Sequence, residues 1–506
     1  MDESPAPAKP RASNSKAAAW TLAARQAERL LGIASIAILA RVLSPSEFGI
    51  VAMAGSVVAL VEVLAAFGFD WALMRVRVRT RAHYDTAWTL RVISGFVIFV
   101  VLALAAYPAA IYFRQPAVTG IVVAMGANSF IGSLENIGIV DFRLQMRFDR
   151  EFRLRTAAKL AGMLVGVGYA LLTHSYWALV IGATASKLAG SLLSYKMHEF
   201  RPRWDVSQAA VLLNFSIWLM IGNVADVMSS RFADIWVGRY LGSARVGLYS
   251  MASELSTLAT TEFAAPINRA VYTRYLEMAG NVSGLREAFL RVSGVIWAIG
   301  FPAALGLGIC AQQIVALLLG KQWHDAARVL QVLAAAGVIS IMGSNTHYVY
   351  WALGKSKFVT ILSLVGTLGF IALTSVLGRV FGLIGVASAQ VIALSIVVIV
   401  NYAALLRTLD LRLWEVARRN CRVVLASGLM GVATWGVGRL LAQSGIANVV
   451  AQLAAMISTG VLVFCVSLFG LWSMLRRPDG PEEQLVSLLK RVLGRGSPAS
   501  DGMGLL

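Results

Sequence analysis

Long apolar stretches separated by short polar connections repeat along almost the whole chain. Since about 20 helical residues cross about 30 Å of hydrocarbon, some fourteen of these stretches are long enough to span a membrane. They lie at residues 17–43, 49–74, 87–112, 117–140, 157–173, 176–195, 209–229, 246–269, 287–309, 327–352, 358–378, 382–405, 421–441 and 447–474. Because backbone groups in lipid must be satisfied internally, the pattern predicts an all-α integral membrane protein with about 14 transmembrane helices.

Basic residues concentrate on one side of the membrane when the N-terminus is placed inside. Of 45 Lys and Arg residues, 32 fall on that side, 9 fall on the opposite side, and four lie within spans. This asymmetry is a positive-inside signature, and an even number of spans returns the chain to its starting side. We therefore predict that both termini are cytoplasmic.

Composition agrees with a membrane protein and excludes several other classes. Hydrophobic residues make up 58% of the chain, and its mean hydropathy is +0.70. The net charge of +19 does not indicate a nucleic-acid partner, because Lys and Arg form short clusters between apolar runs. The three cysteines have no CxxC spacing and predict neither disulfides nor a metal site.

Energy-coupling and catalytic motifs are missing from the sequence. No GxxxxGK phosphate loop occurs, so we expect no cofactor and predict coupling to an ion gradient or the membrane potential. All outward loops are short, which leaves no room for an external catalytic domain. The sequence therefore favours a transporter over an enzyme such as a glycan polymerase or ligase.

Two segments of the first half recur in the second half. Residues 40–54, ARVLSPSEFGIVAMA, align without gaps on residues 238–252, GRYLGSARVGLYSMA. WALVIGATA, starting at Trp177, pairs with FGLIGVASA, starting at Phe381. Both matches join spans of the same direction, which predicts two six-helix lobes related by an axis along the membrane normal. Repeat-built transporters usually bind substrate between their repeats, near the midplane.

The chain resembles the oligosaccharide flippase branch of the multidrug/oligosaccharidyl-lipid/polysaccharide (MOP) exporter superfamily, which includes colanic-acid-type and xanthan-type Wzx flippases. The resemblance covers nearly the whole chain. It is carried by ILARVLSPSEFGIVAMA, ADIWVGRYLGSARVGLYSMA, VALLLGKQWHDAARVLQVL, YVYWALGKSKF and LIGVASAQV. These segments are turns and packing glycines, so they identify a scaffold more specifically than a cargo.

The resemblance implies a MOP/MurJ-like fold that moves undecaprenyl-diphosphate-linked repeat units to the outer leaflet of the bacterial inner membrane by alternating access. A lipid II flippase, a multidrug antiporter and, less favoured, a membrane glycan polymerase or ligase are the alternatives. Expected partners are the lipid-linked oligosaccharide, membrane lipids and a polysaccharide polymerase or co-polymerase. The expected divisions are a disordered cytoplasmic tail, an N-lobe, a C-lobe, a C-terminal helix pair and a cytoplasmic amphipathic tail, at residues 1–16, 17–205, 206–410, 411–475 and 476–506.

Charges inside the first predicted span are the first candidates for a substrate site. Arg25, Glu28, Arg29 and Gly32 are spaced to share one helix face. A charge at mid-membrane costs about 2.5–3.5 kcal/mol on insertion scales, so such residues usually face a cavity or a partner. We predict that Arg25 and Arg29 bind the diphosphate and that Glu28 balances them or titrates. The alternative is a local Glu28–Arg25 pair that serves packing only.

Other intramembrane charges extend this set. Arg91 and Lys187 complete the predicted diphosphate and glycan site, although Arg91 alternatively snorkels to the inner surface. Glu62, Asp226 and Glu254 are candidates for coupling or charge balance. Asp226 is the preferred coupling residue, with neutralisation of a neighbouring arginine as the alternative.

Overall fold

The computed structural model of the chain describes residues 12–64, 69–76, 79–444 and 448–474. Within these ranges, the structure describes only the backbone of residues 12–25, 64, 70, 71, 75, 211–226 and 258–263. The regular structure of the described residues is α-helical throughout, with two short 3₁₀ turns at Ile137–Ile139 and Lys321–Trp323. The all-α prediction is therefore confirmed. The predicted tail at residues 476–506 lies outside the described residues.

The chain divides into two compact units, Met1–Gly247 and Leu248–Leu506. The first unit holds α1 (Ala12–Val42), α2 (Pro45–Leu64), α3 (Phe69–Arg75), α4 (Arg81–Phe113), α5 (Ala117–Ser133), α6 (Val140–Leu144), α7 (Phe148–Thr173), α8 (Trp177–Met197) and α9 (Ala209–Leu241). Helix α1 starts inside the stretch for which the sequence predicts a disordered tail. Helix α9 packs against α2, α3 and α4, which places it in this unit. The predicted lobe boundary, after residue 205, lies before α9, whereas the boundary between the two compact units lies after Gly247.

Helix α10 (Ser243–Glu277) crosses from the first unit into the second. The second unit continues with α11 (Val282–Ile309), α12 (Ala311–Leu318), α13 (His324–Gly343), α14 (Thr346–Ala352), α15 (Ser356–Thr408), α16 (Leu413–Gln443) and α17 (Val449–Met474). Helix α15 contains a kink at Gly382, whose φ of 59° is outside the helical range. Since glycine adopts positive φ without a Cβ clash, one 53-residue helix accommodates two predicted spans.

Nine helices of the described residues are long and apolar enough to cross a membrane, or ten when the bent pair Ala117–Ser133 and Ile137–Leu144 counts as one span. Among the nine, α15 covers two predicted spans. Helices α1, α9 and α10 coincide with three further predicted spans, but their side chains are described only in part. The multi-pass membrane fold is confirmed, whereas the number fourteen stays a prediction.

Glycines on α7 and α8 allow the backbones of these two helices to come into contact. A Cβ placed on Gly162 would lie 2.6 Å from the carbonyl oxygen of Gly182, and a Cβ on Gly182 would lie 3.0 Å from that of Gly162. Gly166 faces the same neighbour, with its added Cβ 3.2 Å from the Gly182 Cα. Small residues at this spacing let membrane helices approach closely where no hydrophobic force drives them together.

We expect Gly162→Val to destabilise the first unit, because its new side chain meets the α8 backbone. The expected cost is about 1–3 kcal/mol, as for overpacking in other well-packed interiors. Gly168→Val is the matched control, since a Cβ on Gly168 meets nothing within 4 Å. Thermal unfolding of the two purified variants in one detergent checks this expectation. Equal stability of the two variants would contradict it.

Candidate functional site

A buried carboxylate in the first unit lies among basic side chains from three surrounding helices. Glu135 is buried in the segment after α5. The Arg91 Nη2 atom, from α4, donates to the Glu135 Oε2 atom at 3.0 Å and to the carbonyl oxygen of Gly132 at 3.1 Å. Arg91 is therefore held by an internal partner, which disfavours the snorkelling alternative.

Two more basic residues lie around this pair. The Arg155 Nη1 atom, from α7, is 3.7 Å from the Glu135 Oε1 atom. Lys187, from α8, lies against Gly132, where an added Cβ would be 3.4 Å from the Lys187 Nζ atom. We call Arg91, Glu135, Arg155 and Lys187 the cationic cluster. Arg91 and Arg155 pair with Glu135, and the exposed Lys187 lies beside them, so the cluster has more basic than acidic groups.

A break in the chain places Glu135 at this position. Helix α5 ends at Ser133, and the next helical segment leaves it at an angle of 66°. Asn136 stabilises the bend because its Oδ1 atom accepts from the amide N of Gly138 at 2.9 Å and its Nδ2 atom donates to the carbonyl oxygen of Phe200 at 2.7 Å. The amide N of Asn136 also donates to the Ser194 Oγ atom at 2.9 Å. Backbone groups freed by the break are thus partly paired within the unit.

The structure brings together two of the four predicted substrate residues, Arg91 and Lys187. Glu28 and Arg29 are half-buried on α1, which packs against α7. The side chain of Arg25 lies outside the described residues. A Cβ on Gly32 would meet nothing within 4 Å, so this face of α1 is open at that point.

The predicted coupling residues occupy separate positions. Glu62 is exposed on α2 and accepts a hydrogen bond from the Ser129 Oγ atom of α5. Glu254 is exposed on α10, in the second unit. Asp226 belongs to α9, but its side chain lies outside the described residues. The coupling roles of the four residues, Glu28 included, therefore stay predictions. Glu135 and Arg155 belong to the cationic cluster, although they were not among the predicted site residues.

The first repeat forms a second notable feature of this unit. Its two copies occupy the α1–α2 and α9–α10 junctions, and these junctions contact each other. A Cβ on Gly49 would lie 1.8 Å from the Ser243 carbonyl oxygen, and one on Gly247 would lie 1.9 Å from the Pro45 carbonyl oxygen. In the sequence alignment Gly49 matches Gly247 and Pro45 matches Ser243. The two contacts, Gly49 with Ser243 and Gly247 with Pro45, are therefore equivalent in the two copies of the repeat. We call this contact the repeat junction.

The family model and the relatives that match this chain all concern the biosynthesis of polysaccharides. A family model described as "Polysaccharide biosynthesis protein" matches residues 38–328. The lipopolysaccharide biosynthesis protein WzxC of Escherichia coli (strain K12) is 23% identical over 388 residues, covering 74% of this chain and 77% of WzxC. The succinoglycan biosynthesis transport protein ExoT of Rhizobium meliloti (strain 1021) is 23% identical over 357 residues, covering 67% of this chain and 72% of ExoT.

Two solved structures share the fold. The lipid II flippase MurJ in its inward closed conformation superposes with a TM-score of 0.73 and 14% identity, covering 90% of this chain and 99% of MurJ. An inward-facing multidrug resistance MATE family transporter of the MOP superfamily gives a TM-score of 0.62 and 16% identity, covering 76% of this chain and 94% of that protein. The predicted MOP/MurJ-like fold is confirmed.

Proposed function

Because this chain belongs to the polysaccharide biosynthesis protein family, we propose that it is a flippase moving undecaprenyl-diphosphate-linked oligosaccharide repeat units across the bacterial inner membrane. The product is exopolysaccharide or the O-antigen of lipopolysaccharide. The observation that carries the cargo assignment is the cationic cluster. A lipid diphosphate is anionic, and guanidinium and ammonium groups in a membrane-embedded site are the protein groups that suit it.

An apolar cavity in the second unit supplies the chemistry that a lipid tail requires. It has a volume of about 440 Å³ and is lined by α11, α12, α16 and α17, including Pro302, Leu307, Met430, Met456 and Phe464. Among its lining residues, Thr434 is the polar exception. An isoprenoid chain packed against these residues is shielded from water, as the hydrophobic effect favours.

For the transport cycle we propose alternating access, driven by an ion gradient or the membrane potential, with both chain termini cytoplasmic. Glu28, Glu62, Asp226 and Glu254 are the proposed coupling or charge-balancing groups. The basic connections on the inner side offer a surface for a polysaccharide polymerase or co-polymerase. The excess of basic over acidic groups in the cationic cluster favours an anionic cargo over the cationic drugs of an antiporter. A lipid II flippase shares this charge requirement and is separated from our proposal by cargo.

Deletion of the gene in its native host tests the proposal. We expect loss of polymerised surface glycan and accumulation of the undecaprenyl-linked repeat unit, both restored by the wild-type gene. The strain must lack any second flippase for the same glycan. Normal surface glycan without accumulated repeat unit would contradict the proposed function, and accumulation of lipid II instead would assign the alternative cargo.

Arg29 offers a test of helix α1 as part of the substrate site. We expect Arg29→Ala to lower export about tenfold, the effect of losing one charge-assisted hydrogen bond, and Arg29→Lys to lower it less. The reason is that lysine keeps the charge but loses the planar guanidinium fork. Surface glycan is measured at matched membrane levels of the two variants. Wild-type export by Arg29→Ala would remove Arg29 from the substrate site.

A further inference from the structure

The carboxylate of the cationic cluster lies deeper in the first unit than the basic groups around it. The side chain of Glu135 is 10% exposed, against 21% for Arg91 and 40% for Arg155, and Lys187 is exposed. An anion that approaches the cluster therefore meets basic side chains before it meets the carboxylate. Because Arg91 and Arg155 already serve Glu135, a second anion that binds them competes with this internal one.

Arg91 has an anchor that does not depend on Glu135. Its Nη2 atom donates to the Glu135 Oε2 atom at 3.0 Å and also to the carbonyl oxygen of Gly132 at 3.1 Å. The Gly132 carbonyl group holds the guanidinium when the carboxylate moves away. Arg91 is therefore placed to exchange one oxyanion for another without leaving its position.

The other side of the carboxylate is held more loosely. The Arg155 Nη1 atom is 3.7 Å from the Glu135 Oε1 atom, which is longer than a direct hydrogen bond. A glycine borders the same oxygen, and a Cβ added to Gly190 would lie 4.0 Å from it. Displacing the carboxylate thus requires breaking its one short contact, with Arg91, and the glycine leaves space beside it.

The position of Arg91 explains why such an exchange matters for transport. Arg91 lies within α4, a helix that is long and apolar enough to cross a membrane. An arginine inside such a helix is costly without a counter-charge. Glu135 supplies the counter-charge when no other anion is bound, and a bound diphosphate supplies it instead.

We propose that Glu135 is an internal substitute for the diphosphate of the substrate. In the empty transporter its carboxylate pairs with Arg91 and Arg155, and an arriving diphosphate displaces it. The substitute balances the cluster while the empty transporter returns. It also lowers the apparent affinity for substrate, because only molecules with a displaced carboxylate bind the diphosphate. This inference rests on the proposed function for the identity of the anion and adds a positioning role for Glu135, which acts through the two arginines.

Binding of inorganic pyrophosphate to the purified full-length protein tests this role. Glu135→Gln nearly conserves side-chain volume and keeps an oxygen that accepts from Arg91, but it removes the competing charge. We expect Glu135→Gln to bind pyrophosphate about tenfold more tightly than the wild type, the factor for one charge-assisted hydrogen bond. Isothermal titration calorimetry measures the affinity. The rise in unfolding temperature on adding pyrophosphate measures it independently, even in a variant of lower stability.

Translocation separates this role from a purely structural one. In liposomes, Glu135→Gln should move undecaprenyl-diphosphate-linked repeat units between leaflets about tenfold more slowly, because tighter binding mostly slows release. The empty transporter also returns without its counter-charge. Higher affinity with slower turnover is therefore the expected combination, whereas a folding defect alone would lower both binding and translocation.

Glu151→Gln is the matched control. The Glu151 Oε1 atom accepts from the Arg143 Nη2 atom at 2.6 Å in the same unit, but this ion pair lies outside the cationic cluster. We expect its pyrophosphate affinity to equal that of the wild type. Arg155→Met is a second cluster variant, and its partly exposed, long ion pair contributes little to folding. We expect it to weaken pyrophosphate binding about tenfold.

The inference and the proposed function fail in distinguishable ways. Wild-type or weaker pyrophosphate affinity of Glu135→Gln, an equal rise in affinity for Glu151→Gln, or unchanged binding by Arg155→Met would overturn the role of Glu135. Each of these results leaves the proposed function standing, because gene deletion tests export without reference to Glu135. Normal export on deletion contradicts the proposed function whatever the pyrophosphate result.

Discussion

Replacing Glu135 by alanine is expected to destabilise the first unit more than any other single change in the cationic cluster. The substitution leaves Arg91 largely buried without its carboxylate partner, and removing one member of a buried ion pair costs about 3–5 kcal/mol. We expect a lower unfolding temperature of the purified protein and a lower amount in the membrane. Thermal unfolding in one detergent measures the first quantity, and immunoblotting of isolated membranes measures the second.

The double variant Arg91→Met/Glu135→Leu separates electrostatics from packing. Apolar side chains of similar volume often replace a buried ion pair without loss of stability, so the double variant is expected to recover most of the loss. Its export activity should stay low, because it lacks one of the cluster's three basic groups. A double variant as unstable as Glu135→Ala would contradict the account of Glu135 as the counter-charge of Arg91.

Locking the repeat junction is expected to stop export almost completely. The Ser46 and Ser243 Oγ atoms are 2.7 Å apart across it, so cysteines at these two positions are close enough for a disulfide. In a chain whose Cys310, Cys421 and Cys465 are replaced by alanine, oxidation should crosslink this pair. We expect the proposed alternating access to open this junction in each cycle, so export should fall on oxidation and return on reduction.

The Gly247→Leu substitution tests the same junction by preventing it from closing. Its side chain would meet the Pro45 backbone, so the junction cannot close and the Ser46→Cys/Ser243→Cys pair should no longer crosslink. Gly55→Leu on α2 is the matched control, because a Cβ there meets nothing within 4 Å. Full export by the crosslinked protein, or equal crosslinking with Gly247→Leu and Gly55→Leu, would contradict a junction that opens and closes.

Hydrophobic patterning predicted the helices well, because the requirement to satisfy backbone groups in lipid is local. The 53-residue α15 shows both the strength and the boundary of this reasoning. Two apolar windows at residues 358–378 and 382–405 predicted two spans, and Gly382 separates them in the structure. Periodicity alone does not indicate that the two helices join through one glycine with positive φ.

The cationic cluster was only half predictable. Arg91 and Lys187 were identified because charges inside apolar spans are costly. Arg155 was assigned to a polar connection, since the run RLQMRFDREFRLR at residues 143–155 is dense in charge. In the structure α7 begins at Phe148, and ion pairs such as Arg153–Asp149 occupy its first turns. Arg155 therefore belongs to the helix and reaches Glu135.

Contacts between distant segments were beyond the sequence. The alignment of residues 40–54 with residues 238–252 identified Gly49 and Gly247 as equivalent positions. It did not indicate that each glycine contacts the other copy of the repeat. Likewise, Arg91 and Arg155 are 64 positions apart in the sequence, and both reach Glu135 only in the folded unit. Such sites require the tertiary structure.

Translocation by the purified protein in liposomes tests the central claim most directly. Undecaprenyl-diphosphate-linked repeat units extracted from the deletion strain are placed in the membrane, and an impermeant periodate oxidation reports their exposure on each leaflet. We predict protein-dependent movement between leaflets that Arg29→Ala slows and protein-free liposomes lack. Equal exposure with and without the protein, in liposomes that hold it folded, would contradict the account.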